Sequence, residues 1–272
     1  EIAPSDWSSD VCSSDLVLFV AVPLGLILYF GFTDHRGGFT PEHIFEAGEY
    51  SSIILKSLWL SAISTAICLV LGFPIAYTIG RVRFLKESTL LLILMLPMWM
   101  NFLLRTYSWM SLLENNGLIN KLFSLAGIGH FHLINTQGAV VLGMVYNYLP
   151  FMILPLHSVM SKIGEDVIEA SGDLGGNAVQ TLRRIIIPLS MPGIKTGITM
   201  VFVPSVSTFV ISQMLGGGSN QLVGDIIELQ FLGNAYNPHL GSAISIFLMV
   251  IVLLIMGLMN FFNNEDLGGN IL

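Results

Sequence analysis

The stretch SLWLSAISTAICLVLGFPIAYTI, residues 57–79, runs for 23 residues without a charged side chain. About 20 apolar residues of helix are enough to cross the hydrocarbon core of a bilayer, which is about 30 Å thick. The stretch therefore predicts a helix that spans a membrane.

Five further stretches are also predominantly apolar, and the first of them is the shortest: Leu16–Phe32, Thr89–Met110, Gly138–Met160, Gly193–Leu215 and Gly241–Phe262. Over the 272 residues, 53% are hydrophobic and 11% are charged, whereas a soluble domain usually has about 25% charged residues. The net charge of −7 arises from a shortage of basic residues, which argues against binding to nucleic acid. We predict an all-α polytopic membrane protein with six transmembrane helices in a lipid bilayer.

Basic residues indicate how these helices are oriented. Arg81, Arg83 and Lys86 follow the second span, and Lys162, Arg183 and Arg184 follow the fourth. The loops on the opposite side carry fewer basic residues per length, and cytoplasmic loops are the ones enriched in Lys and Arg. Both ends of the chain are therefore expected in the cytoplasm.

The two ends of the chain have unusual composition. Residues 1–15, EIAPSDWSSDVCSSD, repeat the tripeptide SSD and are similar to translated adaptor or vector sequence, so we expect a non-native segment there. We expect a single transmembrane domain over residues 16–262 and a cytoplasmic tail over 263–272. Cys12 and Cys68 are far apart and have the spacing of neither a disulfide framework nor a metal site.

The basic loop SKIGEDVIEASGDLGGNAVQTLRRIIIPLSMP, residues 161–192, has a helical pattern interrupted by two glycines. Gly175 and Gly176 predict the end of a first short helix, because glycine readily adopts the left-handed conformation found there. Asn177 is a suitable N-cap for a second short helix, which we expect Pro188 to end. By itself the pattern fits either a helix pair lying in the lipid headgroups or a surface that docks onto another protein.

The spacing within this loop resembles a known motif. Glu169-Ala170-Ser171, three residues, Gly175, nine residues and Ile185-x-Ile187-Pro188 match E-A-A-x3-G-x9-I-x-L-P, the EAA motif of ABC importer permeases. Five of the seven fixed positions are identical, and Ser171 and Ile187 are the two that differ. Other segments, among them NFLLRTYSW (101–109) and LPFMILPLHS (149–158), resemble the PotB-type permeases of spermidine/putrescine ABC importers.

The resemblance implies a type I (MetI-like) permease of the bacterial inner membrane that performs no covalent chemistry. It implies that this chain binds no cofactor, and that ATP and magnesium bind to a partner ABC ATPase dimer. Further implied partners are a second permease subunit and an extracytoplasmic polyamine-binding protein. The implied ATPase-coupling residues are Glu169, Ala170, Ser171, Asp173, Gly175, Ile185, Ile187 and Pro188.

Candidates for the substrate path come from the outer side. Asp225 and Glu228 lie in the loop between spans five and six, where acidic groups attract a polyvalent cation. Aromatic rings that offer cation–π contacts to an amine are Tyr107, Trp109, Tyr146 and Tyr148, although each also suits the aromatic belt of a membrane protein. Arg105 is expected to snorkel or to pair with polar groups near the outer boundary.

Several alternatives remain open. The coupling motif is shared by permeases for iron(III), thiamine and phosphonates, so the substrate is less firmly indicated than the class of transporter. An ion-coupled secondary transporter usually has ionisable groups near the midplane, and the five later spans contain no Asp or Glu. A membrane-embedded enzyme would need clustered polar groups, whereas His157 stands alone within its span.

Overall fold

The computed structural model describes residues 17–34, 38–82, 84–127, 129–218, 220–233 and 235–268. The expected non-native segment 1–15 and the last four residues of the tail lie outside the described residues. Helices form most of the described chain. In chain order they are α1 (Val22–Phe32, after a π turn at Val17–Ala21), α2 (Glu42–Glu49), α3 (Ser51–Gly80), α4 (Phe84–Trp99), α5 (Phe102–Leu113), α6 (Leu118–Leu125), α7 (Gln137–Met160), α8 (Glu165–Asp173), α9 (Ala178–Thr181), α10 (Ile187–Val206), α11 (Val210–Gly216), α12 (Val223–Leu232) and α13 (Pro238–Gly268).

The chain divides into two compact units, and the smaller one combines residues 1–54 with 226–272. In it α13 packs against α1 and α2. Gly31 lets α1 pack against α13, because a Cβ there would clash with Cδ1 of Ile246. His239 Nδ1 lies 3.0 Å from the Phe30 carbonyl oxygen and ties the start of α13 to the end of α1.

The larger unit, residues 55–225, is organised around α7. The helix α3 runs parallel to it, since Gly72 faces Met152 and Gly80 faces Ser161. The helix α10 runs antiparallel, with Gly193 against Pro155. The core between these helices is apolar and fully enclosed, and it includes Met144, Met152, Ile153, Leu156 and Val201.

Four polar residues of α3 lie on one face of the helix, and this face is buried. Ser57, Ser61, Ser64 and Thr65 recur at helical spacing and are at most 5% exposed. Ser64 Oγ lies 3.3 Å from Met144 Sδ of α7, so this face meets protein. The opposite face carries exposed apolar side chains such as Leu55 and Val70, as a lipid-facing surface does.

Two of the six predicted spans are interrupted, and the prediction of a continuous helix is wrong for both. The span expected at Thr89–Met110 consists of α4 and α5, and the helical stretches Lys86–Trp99 and Phe102–Leu125 are bent by 87° at the break between them. The span expected at Gly193–Leu215 ends as α10 at Val206 and resumes as α11 at Val210. Pro97 and Pro204 each lie two residues before the end of the first helix, where a proline removes a backbone hydrogen bond.

Within the residues that the structure describes, four helical runs are long and apolar enough to cross a membrane, and the bent pair Lys86–Trp99 and Phe102–Leu125 brings the number to five. They are Ser51–Gly80, Gln137–Met160, Ala178–Val206 and Pro238–Met259. The helical stretch Leu18–Phe32 is shorter than these runs.

Candidate functional site

The loop that follows α7 forms a sharp corner at its two glycines. The helix α8 is capped by Leu174, and Gly175 has φ +78°, the left-handed conformation that the sequence predicts. The amide of Gly176 donates to the Ser171 carbonyl oxygen at 2.9 Å, which closes the corner. A Cβ at residue 176 would lie 2.7 Å from that oxygen, so the close approach also requires glycine there.

The second helix begins at Asn177 as predicted. Asn177 Oδ1 accepts a hydrogen bond from the Gln180 amide at 2.8 Å, and Gln180 Oε1 accepts one from the Asn177 amide at 3.0 Å. This reciprocal capping box satisfies two amides that a helix start leaves without partners.

The prediction that Pro188 ends the second helix is wrong. The chain passes from α9 through a π turn at Leu182–Ile186 directly into α10. In that turn the Ile187 amide donates to the Leu182 carbonyl, five residues back. The wider turn accommodates the proline, which lies in the first turn of α10 where its missing N–H is not needed. Residues 178–206 are therefore one continuous helical run.

A buried hydrogen bond joins the two short helices. The hydroxyls of Ser171 and Thr181 lie 2.8 Å apart, and Thr181 also donates to the Asn177 carbonyl oxygen at 3.2 Å. Ser171 is one of the two positions that differ from the EAA motif. The serine therefore supplies a bond across the corner that alanine cannot make.

The outer surface of the corner is open and mixed in character. Glu169, Ala170 and Asp173 are exposed. Leu174 is 90% exposed and Val179 is 71% exposed, so apolar side chains protrude beside the two carboxylates. An open pocket of about 390 Å³ lies at the corner, and its lining includes three of the predicted coupling residues, Ser171, Gly175 and Ile185. At the start of α10, Ile187 is half-buried and Pro188 is exposed.

The acidic candidates for the substrate path both lie on α12. Asp225 is 2% exposed, and its carboxylate accepts hydrogen bonds from Ser212 Oγ at 2.9 Å and from the Leu222 amide at 2.6 Å. These bonds fix the start of α12, and the carboxylate does not face an open surface. Glu228, one turn further, is half-buried.

The aromatic candidates occupy different environments. Trp109 of α5 and Tyr146 of α7 form an edge-to-face pair with ring centroids 5.2 Å apart. Tyr107 is 57% exposed, whereas Tyr148 is 8% exposed and donates to the Pro204 carbonyl oxygen at 3.3 Å. The structure thus brings two of the four rings together, exposes one and buries one.

The family model of the inner membrane component of binding-protein-dependent transport systems matches residues 15–264. The chain belongs to this family. Its members are transport subunits, which agrees with the prediction that the chain is not an enzyme.

Two relatives of this transport component identify the branch of the family. The chain is 36% identical over 251 residues to the spermidine/putrescine transport system permease protein PotB of Haemophilus influenzae, covering 89% of this chain and 87% of the relative. It is 35% identical over 254 residues to the protein of the same name from Escherichia coli K12, covering 90% of each chain. The resemblance to PotB-type permeases is thereby confirmed.

The fold of this transport component is also similar to a solved structure. A chain in the crystal structure of a bacterial alginate ABC transporter, in complex with an alginate pentasaccharide-bound periplasmic protein, superposes with a TM-score of 0.79. The superposition covers 96% of both chains at 15% sequence identity. The likeness confirms the all-helical, MetI-like permease fold.

Two polar residues of the transport component have partners that the sequence does not reveal. His157 is not alone, because its Nε2 lies 2.8 Å from Glu87 Oε1, although this contact lacks the alignment of a hydrogen bond. The pair joins the start of α4 to the end of α7. Arg105 is 8% exposed and donates from Nη1 to the Pro97 carbonyl oxygen at 2.8 Å. Arg105 thus pairs with a polar group, as expected, but is buried. Glu87 and His157 are 70 positions apart in the sequence, which explains why no local pattern shows their contact.

Proposed function

We propose that this chain is the transmembrane permease subunit of an ATP-driven ABC importer that passes polyamines across the bacterial inner membrane. The observation that carries the coupling role is the corner at Gly175, which presents Glu169, Asp173 and exposed apolar side chains. Such a mixed surface suits a protein partner better than water, because the apolar side chains gain from being covered.

The helical run 178–206 supports a simple mechanism. At 1.5 Å per residue it is a rod of about 43 Å. Its first residue lies at the corner, and its longest part, α10, packs along α7. A displacement of the corner by the closing ATPase would therefore be transmitted along a rigid element, as in other rigid-body transitions.

The proposal assigns the remaining tasks to partners. A dimer of ABC ATPase subunits binds ATP and magnesium, and it contacts the coupling residues Glu169, Ala170, Ser171, Asp173, Gly175, Ile185, Ile187 and Pro188. A second permease subunit completes the pathway, and an extracytoplasmic binding protein delivers the polyamine. Support for a binding protein comes from the family itself, whose members serve binding-protein-dependent systems.

We further propose six spans with both termini in the cytoplasm. The helices α3 and α7 are parallel, so the chain between them has to return across the membrane once, and the broken pair α4–α5 is the segment available for that return. The stretch Leu18–Phe32, the first span in chain order, brings the number to six. Residues 16–262 form the permease domain, with the coupling segment at 161–192 and a cytoplasmic tail at 263–272.

The substrate is tested by uptake of labelled spermidine. The complete transporter locus is expressed in cells without their own polyamine importers, with and without this chain. Putrescine and an unrelated amino acid serve as competitors. We expect uptake that requires the chain and that only the polyamine competitor blocks, because a pathway for one polyamine has the charge and width for another.

Two outcomes would contradict parts of the proposal. Absence of uptake, with all subunits present in the membrane, would exclude polyamines as the substrate. Iron(III), thiamine and phosphonates would then be the candidate substrates. Uptake that persists when the ATPase cannot hydrolyse ATP would contradict the ABC mechanism and favour an ion-coupled carrier.

A further inference from the structure

The pocket at the corner, called the corner pocket below, is lined partly by residues to which the EAA motif gives no role. Its volume is about 390 Å³, and its walls include Gln180 and Arg184 beside the apolar side chains of Leu174 and Ile185. The nine positions between the glycine and the first isoleucine of the motif are unspecified, and both Gln180 and Arg184 are among them. The chemistry that these two side chains bring to the pocket therefore follows from the structure and not from the motif.

Arg184 brings an unpaired positive charge to the corner pocket. It lies in the π turn between α9 and α10 and is exposed. Glu169 and Asp173 are exposed on α8, yet no carboxylate of the described residues lies within ion-pair distance of Arg184. A guanidinium has five N–H donors and no acceptor. Those of Arg184 are therefore available to a ligand.

Gln180 adds further donors to the pocket. The capping box uses its side-chain oxygen, because Oε1 accepts from the Asn177 amide at 3.0 Å. This bond fixes the orientation of the side-chain amide, so the two N–H donors of Nε2 remain for a ligand. The Ser171 hydroxyl also lines the pocket, but it is bonded to the Thr181 hydroxyl at 2.8 Å. The two polar side chains of the lining that remain open to a ligand, Gln180 and Arg184, thus both offer donors.

Donors around one positive charge select an anion. A guanidinium binds a carboxylate through two parallel hydrogen bonds, and such charge-assisted bonds are about twice as strong as neutral ones. The apolar walls at Leu174 and Ile185 suit the short aliphatic part of an Asp or Glu side chain. The corner pocket therefore fits an acidic side chain better than a basic or a purely apolar one.

The corner pocket lies beyond the end of α7. A Cβ on Gly193 of the antiparallel helix α10 would lie 3.2 Å from the Leu156 Cα, so these two residues are level with each other. Met160, four residues further at the end of α7, is then level with about residue 189. The helical run that begins at residue 178 extends about 16 Å past that level. This position favours the carboxylate of a protein in the cytoplasm over the phosphate of a lipid.

We propose that the corner pocket receives an acidic side chain of the ABC ATPase, which forms an ion pair with Arg184 and a hydrogen bond with Gln180 Nε2. The proposal rests on the proposed function as an ABC permease. The docked interface then contains charges of both signs, because Glu169 and Asp173 of this chain face the same partner. Complementary charges at fixed places set the register of two docked surfaces. The pocket therefore helps the ATPase to dock in a single orientation.

The first test is the affinity of the purified ATPase of the same locus for the complete permease assembly in a neutral detergent. Arg184→Glu is compared with Arg183→Glu, because the two arginines are adjacent and exposed and only the former lines the pocket. We expect Arg184→Glu to weaken binding about tenfold or more, the effect of losing one charge-assisted hydrogen bond. Arg183→Glu should weaken it less than about threefold, as a change at the rim of an interface does. Arg184→Lys keeps the charge without the bidentate geometry and should give an intermediate affinity.

Gln180→Glu tests the set of donors while it leaves the arginine in place. A glutamate still accepts from the Asn177 amide and suits this position of the capping box equally well. It lacks the two N–H donors and places a negative charge beside Arg184, so we expect a loss of affinity similar to that of Arg184→Glu. Thermal unfolding of the permease assembly should be the same for the wild type and both variants. Wild-type affinity in Gln180→Glu would overturn the proposal.

A second measurement identifies the acidic side chain on the ATPase. Each surface Asp and Glu of the ATPase is changed to Lys and combined with the Arg184→Glu permease. We expect one such change to restore binding to Arg184→Glu and to weaken binding to the wild type, because it exchanges the charges of the ion pair. Absence of any restoring position, or equal losses in Arg183→Glu and Arg184→Glu, would overturn the proposal.

Two further outcomes separate this proposal from its alternatives. An effect of Arg184→Glu that appears in vesicles containing phosphatidylglycerol but not in neutral detergent would assign the pocket to a lipid phosphate and overturn the proposal. Failure of the wild-type assembly to bind any ABC ATPase would contradict the proposed function itself. Absence of polyamine uptake with normal binding of the ATPase would contradict only the proposed substrate.

Discussion

At the scale of the residue, the three glycines in the five-residue stretch 172–176 at the corner have different roles. Gly172 lies in α8 with an ordinary helical backbone, and a Cβ there would meet no atom within 4 Å. Gly175 has equally open space but a positive φ, and Gly176 has the Ser171 carbonyl against it. The same substitution at these positions therefore tests helix propensity, backbone strain and steric contact separately.

We predict that Gly175→Arg reaches the membrane in normal amounts but abolishes ATP-coupled uptake. The left-handed conformation costs a side chain about 1–2 kcal/mol, which a packed membrane domain tolerates. The arginine then extends into the open space at the surface proposed to dock the ATPase. Immunoblotting of membranes, uptake and co-purification of the ATPase measure the three quantities.

Gly172→Ala is the matched control. It should stabilise α8 by about 1 kcal/mol, since alanine is the better helix former, and should leave uptake intact. Full uptake in Gly175→Arg would refute the coupling assignment, and loss of that variant from the membrane would contradict the prediction that the fold tolerates the strained backbone.

At the scale of the element, the packing of α10 on α7 depends on glycines with unequal surroundings. A Cβ on Gly193 would lie 2.8 Å from the Pro155 carbonyl oxygen and 3.2 Å from the Leu156 Cα, both of them backbone atoms. A Cβ on Gly197 would lie 2.6 Å from Met152 Sδ, the far part of a flexible side chain, and its nearest backbone atom would be the Met152 carbonyl oxygen at 3.3 Å, further away than the oxygen at Gly193. Small residues at such positions are what allow membrane helices to approach closely.

We predict that Gly193→Ala destabilises the protein by about 1–3 kcal/mol, the usual cost of overpacking, and that Gly197→Ala costs less. The reason is that helix backbones have to separate in the first case, whereas Met152 can change rotamer in the second. Thermal unfolding in detergent measures the order. Gly257→Ala on α13, where a Cβ meets nothing within 4 Å, serves as the unstrained reference. Equal losses at residues 193 and 197 would contradict the distinction.

The elements also show which features of the fold can be predicted from a single sequence. The corner follows from local chemistry, because Gly175, Gly176 and Asn177 specify their conformations almost independently of the rest of the chain. The breaks in the two interrupted spans do not follow from local chemistry. A bent span and a straight span have the same apolar composition, and a proline is compatible with either. Asn101 is the local signal that was available for the first break, because its side chain accepts from the Leu103 amide at 2.8 Å and caps α5. The partners of Arg105 and His157 depend on tertiary contacts and have no local signal.

At the scale of the whole molecule, the orientation proposed from basic residues agrees with the packing of the larger unit. Gly80 faces Ser161, so Arg81 and Lys162 lie at the same end of the bundle as the corner. The other end holds the Lys56 ammonium, which donates to Asn220 Oδ1 at 3.3 Å. One end of the larger unit therefore carries the coupling segment with its basic residues.

Accessibility of introduced thiols tests the sidedness. In a Cys12→Ser background, Asp173→Cys should react with a membrane-impermeant maleimide only after the cells are opened. Asn115→Cys, which is exposed between α5 and α6, should react in intact cells. Native Cys68 is fully buried and should give little background. Labelling of residue 173 from outside would reverse the proposed topology.

The exposed leucine at the corner also has a consequence for how the transporter is assembled. In the proposed orientation, Leu174 and its neighbour Val179 project into the cytosol for as long as no partner covers them. Chaperones and quality-control proteases recognise exposed apolar side chains of this kind, and covering them removes the signal. A cell that makes more of this chain than of its ATPase is then left with a surplus marked for degradation, and subunit stoichiometry is corrected after synthesis.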